Sequence, residues 1–183
     1  MTSVKGRLTY QDYAALPSDG RRYEILDGEL YVSAAPNRTH QYVLVELLTT
    51  LHSHVKANGL GEVYVAPFDV ILADTTIVQP DIIFVANDRL AIFSDRGAES
   101  APTLVIEILS PSTGHVDRGR KLQLYARYGV LYYWIVDPEQ RVIEVYRLAA
   151  GAYGASERFG GEGLADLPPF DGLSFDPASL WRR

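Results

Sequence analysis

The 183-residue sequence contains no cysteine. Disulfide bonds, thiolate metal sites and cysteine nucleophiles are therefore excluded. The sequence also lacks any apolar run approaching the ~20 residues that a membrane-spanning helix needs. Residues 1–10 have no apolar stretch like that of a secretory signal. From these absences we expect a cytoplasmic protein without a membrane segment.

An excess of positive charge is lacking as well, because the formal net charge is −6 and the pI is ≈ 5.2. Phosphate contacts usually come from a basic surface, so this balance counts against a nucleic-acid-binding protein. It does not exclude one, since a metal-dependent site would itself contribute acids. Basic residues do cluster locally, and solvated surface is the simplest interpretation of these clusters. The clusters are Arg21-Arg22, Arg118 to Lys121, and Arg182-Arg183.

Length and composition fit one domain of ordinary size, since 47% of the residues are hydrophobic and 22% are charged. Such a chain can build a single core. We expect one domain over residues 1–183, with a core from about 8 to 148. The segment 149–183 is rich in glycine and proline and is predicted to be an irregular tail that wraps the surface.

Three helices are predicted. Leucine and valine recur at helical spacing over residues 44–55, with Asn37 or Thr39 as a candidate cap and Asn58-Gly59 as a stop. A second helix is expected over 117–128, ended by Gly129. A short helix over 9–15 would begin at Thr9.

Strand-like segments surround these helices. Asp27-Gly28 suits a tight turn between Arg22–Leu26 and Glu29–Ser33, which predicts a β-hairpin. Further strand-like runs cover 62–66, 68–72, 78–85, 104–109, 132–136 and 141–148. The run 104–109, the helix after it and the run 132–136 form a plausible βαβ crossover. We therefore expect an α/β fold: a central mixed β-sheet flanked by helices, with additional β-hairpins.

Two acidic residues interrupt apolar segments. Asp81 follows Pro80, and Glu107 is the centre of the apolar run 104–109. Burial of an unpaired carboxylate costs several kcal/mol, so each acid is expected to be paired, protonated or bound to a metal. The alternatives are a turn-capping aspartate beside a proline, and a glutamate at a partly exposed edge or in a buried ion pair.

Lys121 completes the group of candidate catalytic residues. On a helix it shares a face with Leu124, Tyr125 and Tyr128, so its stem is expected to point toward protein. The alternative is a lysine that extends to solvent. Two carboxylates and an ammonium can support metal-assisted hydrolysis of a phosphodiester. The acids would hold a hard cation, and the lysine would position water and stabilise developing charge.

An ordered set of motifs over roughly residues 8 to 148 resembles the Uma-two family of restriction-endonuclease-like proteins, in the PD-(D/E)XK nuclease superfamily. The motifs are Tyr23 to Leu30, Val78-Gln79-Pro80-Asp81, Glu107 to Thr113, then Asp117, Lys121, Tyr125 and Gly129, and finally Tyr133 to Pro138. The short pieces are weak alone, but the ordered set is specific.

This resemblance implies a restriction-endonuclease-like fold and a Mg²⁺-dependent nuclease centre that acts on nucleic acid, with DNA as the expected substrate and Mn²⁺ as a substitute ion. Asp81 and Glu107 match the two metal-binding acids. The signature lysine two residues after the glutamate is replaced by Leu109, and Lys121 matches a lysine that has moved to the following helix.

Other functions remain open at this point. One alternative is a catalytically inactive module on the same fold that binds nucleic acid or a partner. Another is a metal-dependent hydrolase of a small substrate. A homodimer is plausible for an enzyme that cuts both strands, and the aromatic run Tyr132-Tyr133-Trp134 could supply its interface or fill the core.

Three further residues are weaker candidates for the site. Glu24 could be an additional acid at the metal or an outward-facing strand residue. Asp69 alternates with apolar neighbours and could face the site or water. His40 lies on the buried stripe of its helix, where a hydrogen-bonded core histidine is the first interpretation and a role near the phosphate is the alternative.

Overall fold

The structure is a computed structural model that describes residues 6–111, 114–173 and 175–181. Helix α1 (Tyr10–Ala14) begins after Thr9, whose N–H donates to the Asp12 carboxylate at 2.8 Å. Helix α2 (Arg38–Asn58) is capped by Asn37, whose side chain accepts from the N–H of His40 at 2.9 Å. It ends at Gly59, which has a left-handed φ of 58°. Asn37, not Thr39, is thus the cap.

A third helical segment begins earlier than the predicted residue 117. It consists of α3 (Gly114–Val116), a π-helical turn (Asp117–Lys121) and α4 (Leu122–Tyr128), and it ends at Gly129 with a φ of 84°. We call it the 114–128 segment. Among the described residues, no helix is both long and apolar enough to cross a membrane.

The strands are short, and most of the predicted ones are present. They are β1 (Arg22–Leu26), β2 (Glu29–Ser33), β3 (Gly61–Val65), β4 (Val70–Ala73), β5 (Thr76–Val78), β6 (Ile82–Ala86), β7 (Phe93–Ser94), β8 (Gly97–Ala98), β9 (Leu104–Ile108), β10 (Tyr132–Asp137), β11 (Val142–Ala149), β12 (Ala152–Tyr153) and β13 (Glu157–Phe159). Two 3₁₀ helices cover Asn87–Ile92 and Pro177–Trp181.

The described strands form two mixed sheets: the predicted central sheet, and a smaller sheet that includes the predicted hairpin of β1 and β2. The larger has the order β12-β11-β10-β9-β6-β3, with β13 beside β11, and the smaller has the order β2-β1-β5-β4-β8-β7. In the larger sheet β9 and β10 are parallel and are joined by the 114–128 segment, so the βαβ crossover is confirmed. Helices pack on both faces of this sheet, α2 on one and α4 on the other.

The prediction of a single strand over 78–85 is wrong. The chain leaves the smaller sheet after Val78 and enters the larger one at Ile82. Gln79, Pro80 and Asp81 make the crossing, and Pro80 has no N–H to continue a ladder. Asp81 is therefore the residue immediately before β6.

Alternation along the larger sheet separates two apolar clusters. Ile82, Ile106 and Trp134 face α2, whereas Ile83, Val105 and Tyr133 face α4 and the smaller sheet. Tyr133 and Trp134 are fully buried and Tyr132 is partly buried, so this aromatic run contributes to the core.

The C-terminal tail differs from the predicted surface wrapping. Its apolar side chains join the cluster on the α2 face, because that side of the sheet would otherwise be open beyond the helix. The buried tail residues are Leu167, Phe170, Leu173, Phe175 and Leu180. The tail also contains the short strands β12 and β13.

Candidate active site

The register of the larger sheet brings the two predicted acids together. Strands β6 and β9 are antiparallel, with Ile82 opposite Ile106. One step further in the same register, Asp81 comes opposite Glu107. Directly opposed residues of an antiparallel pair project to the same face of the sheet. Both side chains are buried, with 2% and 3% of their surface exposed.

Asp81 is held by three donors. Its Oδ1 accepts from Arg22 Nη1 at 2.9 Å. Its Oδ2 lies 3.0 Å from His40 Nε2 and accepts from the main-chain N–H of Ile108 at 2.8 Å. Burial alone would raise the pKa of Asp81, but these donors and the Arg22 charge together lower it below its ordinary value. Asp81 is therefore an ionised carboxylate at neutral pH.

Glu107 has a different environment. Its Oε1 accepts from Lys121 Nζ at 2.9 Å and from the Tyr125 hydroxyl at 2.8 Å. Burial raises the pKa of Glu107 to about 8, although the charge of Lys121 opposes the rise. The two facing carboxyls thus differ in protonation: near neutral pH, Asp81 is charged and Glu107 retains a proton in the metal-free protein.

Lys121 connects Glu107 to two more acids. Its Nζ lies 2.9 Å from Glu24 Oε2 and 3.6 Å from Asp117 Oδ1. Burial would lower the pKa of Lys121, but the charges of Glu107, Glu24 and Asp117 raise it well above its ordinary value. Burial also raises the pKa of Asp117. Lys121 is therefore a fixed cation, and it cannot accept a proton at neutral pH.

Glu24 also joins the two sheets. It lies on β1 in the smaller sheet, and its Oε1 accepts from the main-chain N–H of Gln79 at 2.8 Å, at the start of the crossing to β6. Because the side chains of Glu24 and Lys121 are only 4% and 5% exposed, the alternatives of an outward-facing strand residue and a lysine that extends to solvent are both wrong.

These residues line a cavity of about 360 Å³ between β1, β2, the first turn of α2 and the 114–128 segment. The four buried acids face only two permanent cations, Arg22 and Lys121, as judged from the described residues. The rim includes residues from the end of β2, from the loops before α2 and after β9, and from the 114–128 segment. These rim residues are Ser33, Asn37, Ser110, Pro111 and His115.

The structure brings most of the predicted site residues together. Asp81, Glu107, Lys121, Glu24 and His40 all line the cavity. His40 is buried and hydrogen-bonded to Asp81, which confirms its interpretation as a hydrogen-bonded core histidine, whereas a role near the phosphate stays a prediction.

Asp69 does not belong to this group. It lies just before β4, outside the cavity, where it accepts from the Tyr13 hydroxyl of α1 at 2.6 Å and from Gln79 Nε2 at 2.8 Å.

Two residues of the site were not singled out from the sequence. Arg22 lies two residues before Glu24 on β1, so strand alternation would have placed both on one face. Asp117 lies four residues before Lys121, so helical spacing would have placed it beside the lysine.

The interpretation of the basic clusters as solvated surface is therefore wrong for Arg22 and Lys121. Arg118 is also engaged, since it pairs with Asp137 and Glu144. Arg182-Arg183, together with Ser112 and Thr113 of the motif, lie outside the described residues.

Comparison with known proteins identifies the relatives of this arrangement. The Uma2 family, described as "Putative restriction endonuclease", matches residues 10–178. The chain belongs to the Uma2 family. An uncharacterised protein from Synechocystis is 29% identical to this Uma2 chain over 130 residues, which span 68% of the chain and 65% of that relative. The match thus covers less than two thirds of the relative's own length.

A solved structure shows the same fold. It is described as a "putative nuclease belonging to DUF820" from Anabaena variabilis, and it superposes on 95% of this Uma2 chain with a TM-score of 0.79 and 22% identity, covering 97% of that chain. The restriction-endonuclease-like α/β fold predicted from the sequence is confirmed by this match.

The donor chemistry of this Uma2 site fits a hard divalent cation. Carboxylate oxygens are the ligands that Mg²⁺ prefers, and Mg²⁺ is usually held by one or two carboxylates, with water and substrate phosphate completing its shell. Among the described residues, Lys121 and Tyr125 both donate to Oε1 of Glu107, and no hydrogen bond to its Oε2 is found there. Within residues 6–111, 114–173 and 175–181, no group of three or more His, Asp or Glu side chains is arranged to hold a metal ion. The fit of the site to a cation therefore rests on the pair Asp81 and Glu107 alone, with the remaining ligands left to water and substrate.

Proposed function

We propose that this protein is a divalent-metal-dependent nuclease that hydrolyses phosphodiester bonds in nucleic acid, with DNA as substrate and Mg²⁺, or Mn²⁺ in its place, as the ion. The observation that carries this proposal is the meeting of Asp81, immediately before β6, and Glu107, on the neighbouring β9, in one cavity, with Lys121 hydrogen-bonded to Glu107. Membership of a family described as restriction endonucleases supports the choice of substrate.

The residues of the site would have different roles in the reaction. Asp81 and Glu107 would hold the ion, which polarises the phosphoryl oxygen and lowers the pKa of a bound water. Burial would lower the pKa of Lys121, but the acidic side chains around it raise that pKa well above its ordinary value, so Lys121 would not act as a general base. Its role would be to donate hydrogen bonds and to stabilise the negative charge that develops on the phosphate in the transition state.

Positioning residues would fix the orientation of both acids. His40 and the N–H of Ile108 hold one oxygen of Asp81, and Tyr125 holds Glu107. Such partners restrict the rotamers of ligand side chains and tune their basicity. Glu24 and Asp117 would retain Lys121 in place.

The test is cleavage of plasmid and single-stranded DNA with Mn²⁺ by the wild type, Asp81→Asn and Glu107→Gln, with an EDTA control. Asp69→Asn is the matched control, because Asp69 is a hydrogen-bonded acid outside the cavity. Metal-dependent cutting by the wild type and Asp69→Asn, with a loss of about 100-fold or more in the other two, supports the proposal. Equal residual cutting by the wild type and Asp81→Asn would overturn it.

A second candidate function is a binding module without catalysis. It is favoured by one observation: protein donors, including a buried lysine, already bind Asp81 and Glu107. This candidate predicts binding of DNA without cleavage under any divalent ion. Cleavage that Lys121→Ala abolishes would exclude it.

A further inference from the structure

Arg22 has an unusual position among the cations of the site. Its guanidinium donates through Nη1 to Asp81 at 2.9 Å, and Asp81 is the one side-chain hydrogen-bond partner found for it among the described residues. A guanidinium carries five N–H donors, so most of them are unused by these residues. Its side chain is 24% exposed and lines the cavity, whereas that of Lys121 is 5% exposed.

The position of Arg22 conflicts with occupation of the same carboxylate by a metal ion. Arg22 now compensates the charge of Asp81 at Oδ1. An ion bound to Asp81 would place a second positive charge beside the guanidinium, and two cations at such a distance repel. Asp81 would keep its other two donors, His40 and the N–H of Ile108, so its orientation does not depend on Arg22.

The chemistry of the guanidinium indicates where it would go. Its planar donors match the oxygens of a phosphate and can form paired, charge-assisted hydrogen bonds. A phosphate that approaches the acids must enter the same cavity that Arg22 lines. Lys121 is less able to move, since three carboxylates surround it.

We propose that Arg22 is a phosphate-binding residue that exchanges partners: it pairs with Asp81 in the metal-free protein and turns to the substrate phosphate when Asp81 binds an ion. This inference rests on the proposed nuclease function. Because Arg22 competes with the ion for Asp81, replacement of Arg22 should also change the affinity of the protein for the ion. The pairing with Asp81 would then be a resting state of the site.

The experiment compares Arg22→Gln and Arg22→Lys with Arg21→Gln, a matched control whose side chain is 68% exposed and pairs with Asp19. Calorimetry with Mn²⁺ alone measures ion affinity without nucleic acid. Fluorescence anisotropy with a labelled single-stranded oligonucleotide measures binding in Ca²⁺, which takes oxygen ligands as Mg²⁺ does. Cleavage kinetics in Mn²⁺ give kcat and KM.

Arg22→Gln is expected to bind Mn²⁺ several-fold more tightly than the wild type, and yet to bind the oligonucleotide about tenfold or more weakly, as expected for the loss of a hydrogen bond to a charged group. Arg22→Lys should recover part of the oligonucleotide affinity, and Arg21→Gln should resemble the wild type in both assays. A purely structural Arg22 would give weaker Mn²⁺ binding when replaced, because Asp81 would be misplaced.

Different results would overturn the partner exchange of Arg22 and the nuclease function. If the wild type cuts DNA and Arg22→Gln matches it in ion affinity, oligonucleotide affinity and kcat/KM, the exchange is overturned and the nuclease function stands. If the wild type cuts nothing, the nuclease function fails, and calorimetry and anisotropy still decide the role of Arg22. Unchanged or weaker Mn²⁺ binding by Arg22→Gln overturns the exchange in every case.

Discussion

Replacement of Glu107 by glutamine is expected to change how the stability of the metal-free protein depends on pH. Burial raises the pKa of Glu107 to about 8, whereas a glutamate in an unfolded chain titrates near ~4.3. Between these values the native state holds more protons at this residue than the unfolded state does. The free energy of unfolding must therefore fall as the pH rises through this window.

When the native state binds one proton more than the unfolded state, the free energy of unfolding falls by roughly 1.4 kcal/mol for each pH unit. Between about pH 5 and about pH 7, Glu107 alone should remove about 2–3 kcal/mol of stability. Asp117, whose pKa is also raised by burial, contributes a loss of the same sign.

Two other shifts act outside this window. The lowered pKa of Asp81 gives stability that is present above the ordinary aspartate range and is lost only in more acidic solution. The raised pKa of Lys121 gives stability that is lost only as strongly alkaline pH is reached. The slope near neutrality therefore reports on Glu107 and Asp117.

Urea denaturation in EDTA at several pH values between about 5 and 7 measures this slope. The free energy of unfolding of Glu107→Gln should fall less steeply with pH than that of the wild type, by roughly 1.4 kcal/mol per pH unit, which corresponds to one proton. Glu157→Gln, an exposed position on β13, is the control and should follow the wild type. Parallel curves for the wild type and Glu107→Gln would refute a buried, protonated Glu107.

Three further results are expected. Lys121→Ala should lower the free energy of unfolding by about 3–5 kcal/mol at neutral pH, measured by urea denaturation, because it leaves buried acids without their cation. Part of that loss should disappear at lower pH, and full stability at neutral pH would contradict the buried cluster. Phe170→Ala should lower the free energy of unfolding by about 3–5 kcal/mol in the same assay, since Phe170 packs against Phe84 and Trp134. A loss of stability below about 1 kcal/mol would contradict the position of the tail in the core. Nucleic-acid affinity should depend weakly on salt, because many arginines pair with acids of the chain itself. A plot of the logarithm of the affinity against the logarithm of the salt concentration should have a slope shallower than about −4. A steeper slope in anisotropy titrations would contradict this expectation.

Much of the fold could be predicted from local signals. The turn at Asp27-Gly28 places the first hairpin, and the cap at Asn37 with the stop at Gly59 bounds α2. The βαβ unit followed from a buried run, a helix and an aromatic strand. These features depend on neighbouring residues, so a single sequence reveals them.

The second sheet could not be predicted in this way. The apolar character of 78–85 is continuous, and nothing local shows that Val78 and Ile82 belong to different sheets. The burial of Phe170 depends on contacts with distant strands and is equally invisible to local patterns.

The candidate site was partly predictable for the same reason. Asp81, Glu107 and Lys121 stand out because each is polar where its neighbours are apolar. Arg22 lies beside Arg21 in a polar segment, so its local surroundings favour a surface position, and only the pairing of β1 with β5 brings it to Asp81. Asp69 has the alternation expected of a site residue, but it lies just before β4 in the smaller sheet, where its carboxylate binds Tyr13 and Gln79 instead.

The dispersion of the site along the chain has a consequence for biosynthesis. Arg22 and Glu24 come from the first hairpin, Asp81 from the crossing, and Lys121 and Tyr125 from the segment after β9. Loop closure over such separations precedes any contact among them, so assembly of the centre waits for long-range pairing. A ribosome-bound chain that has not yet released Tyr125 would hold no complete centre.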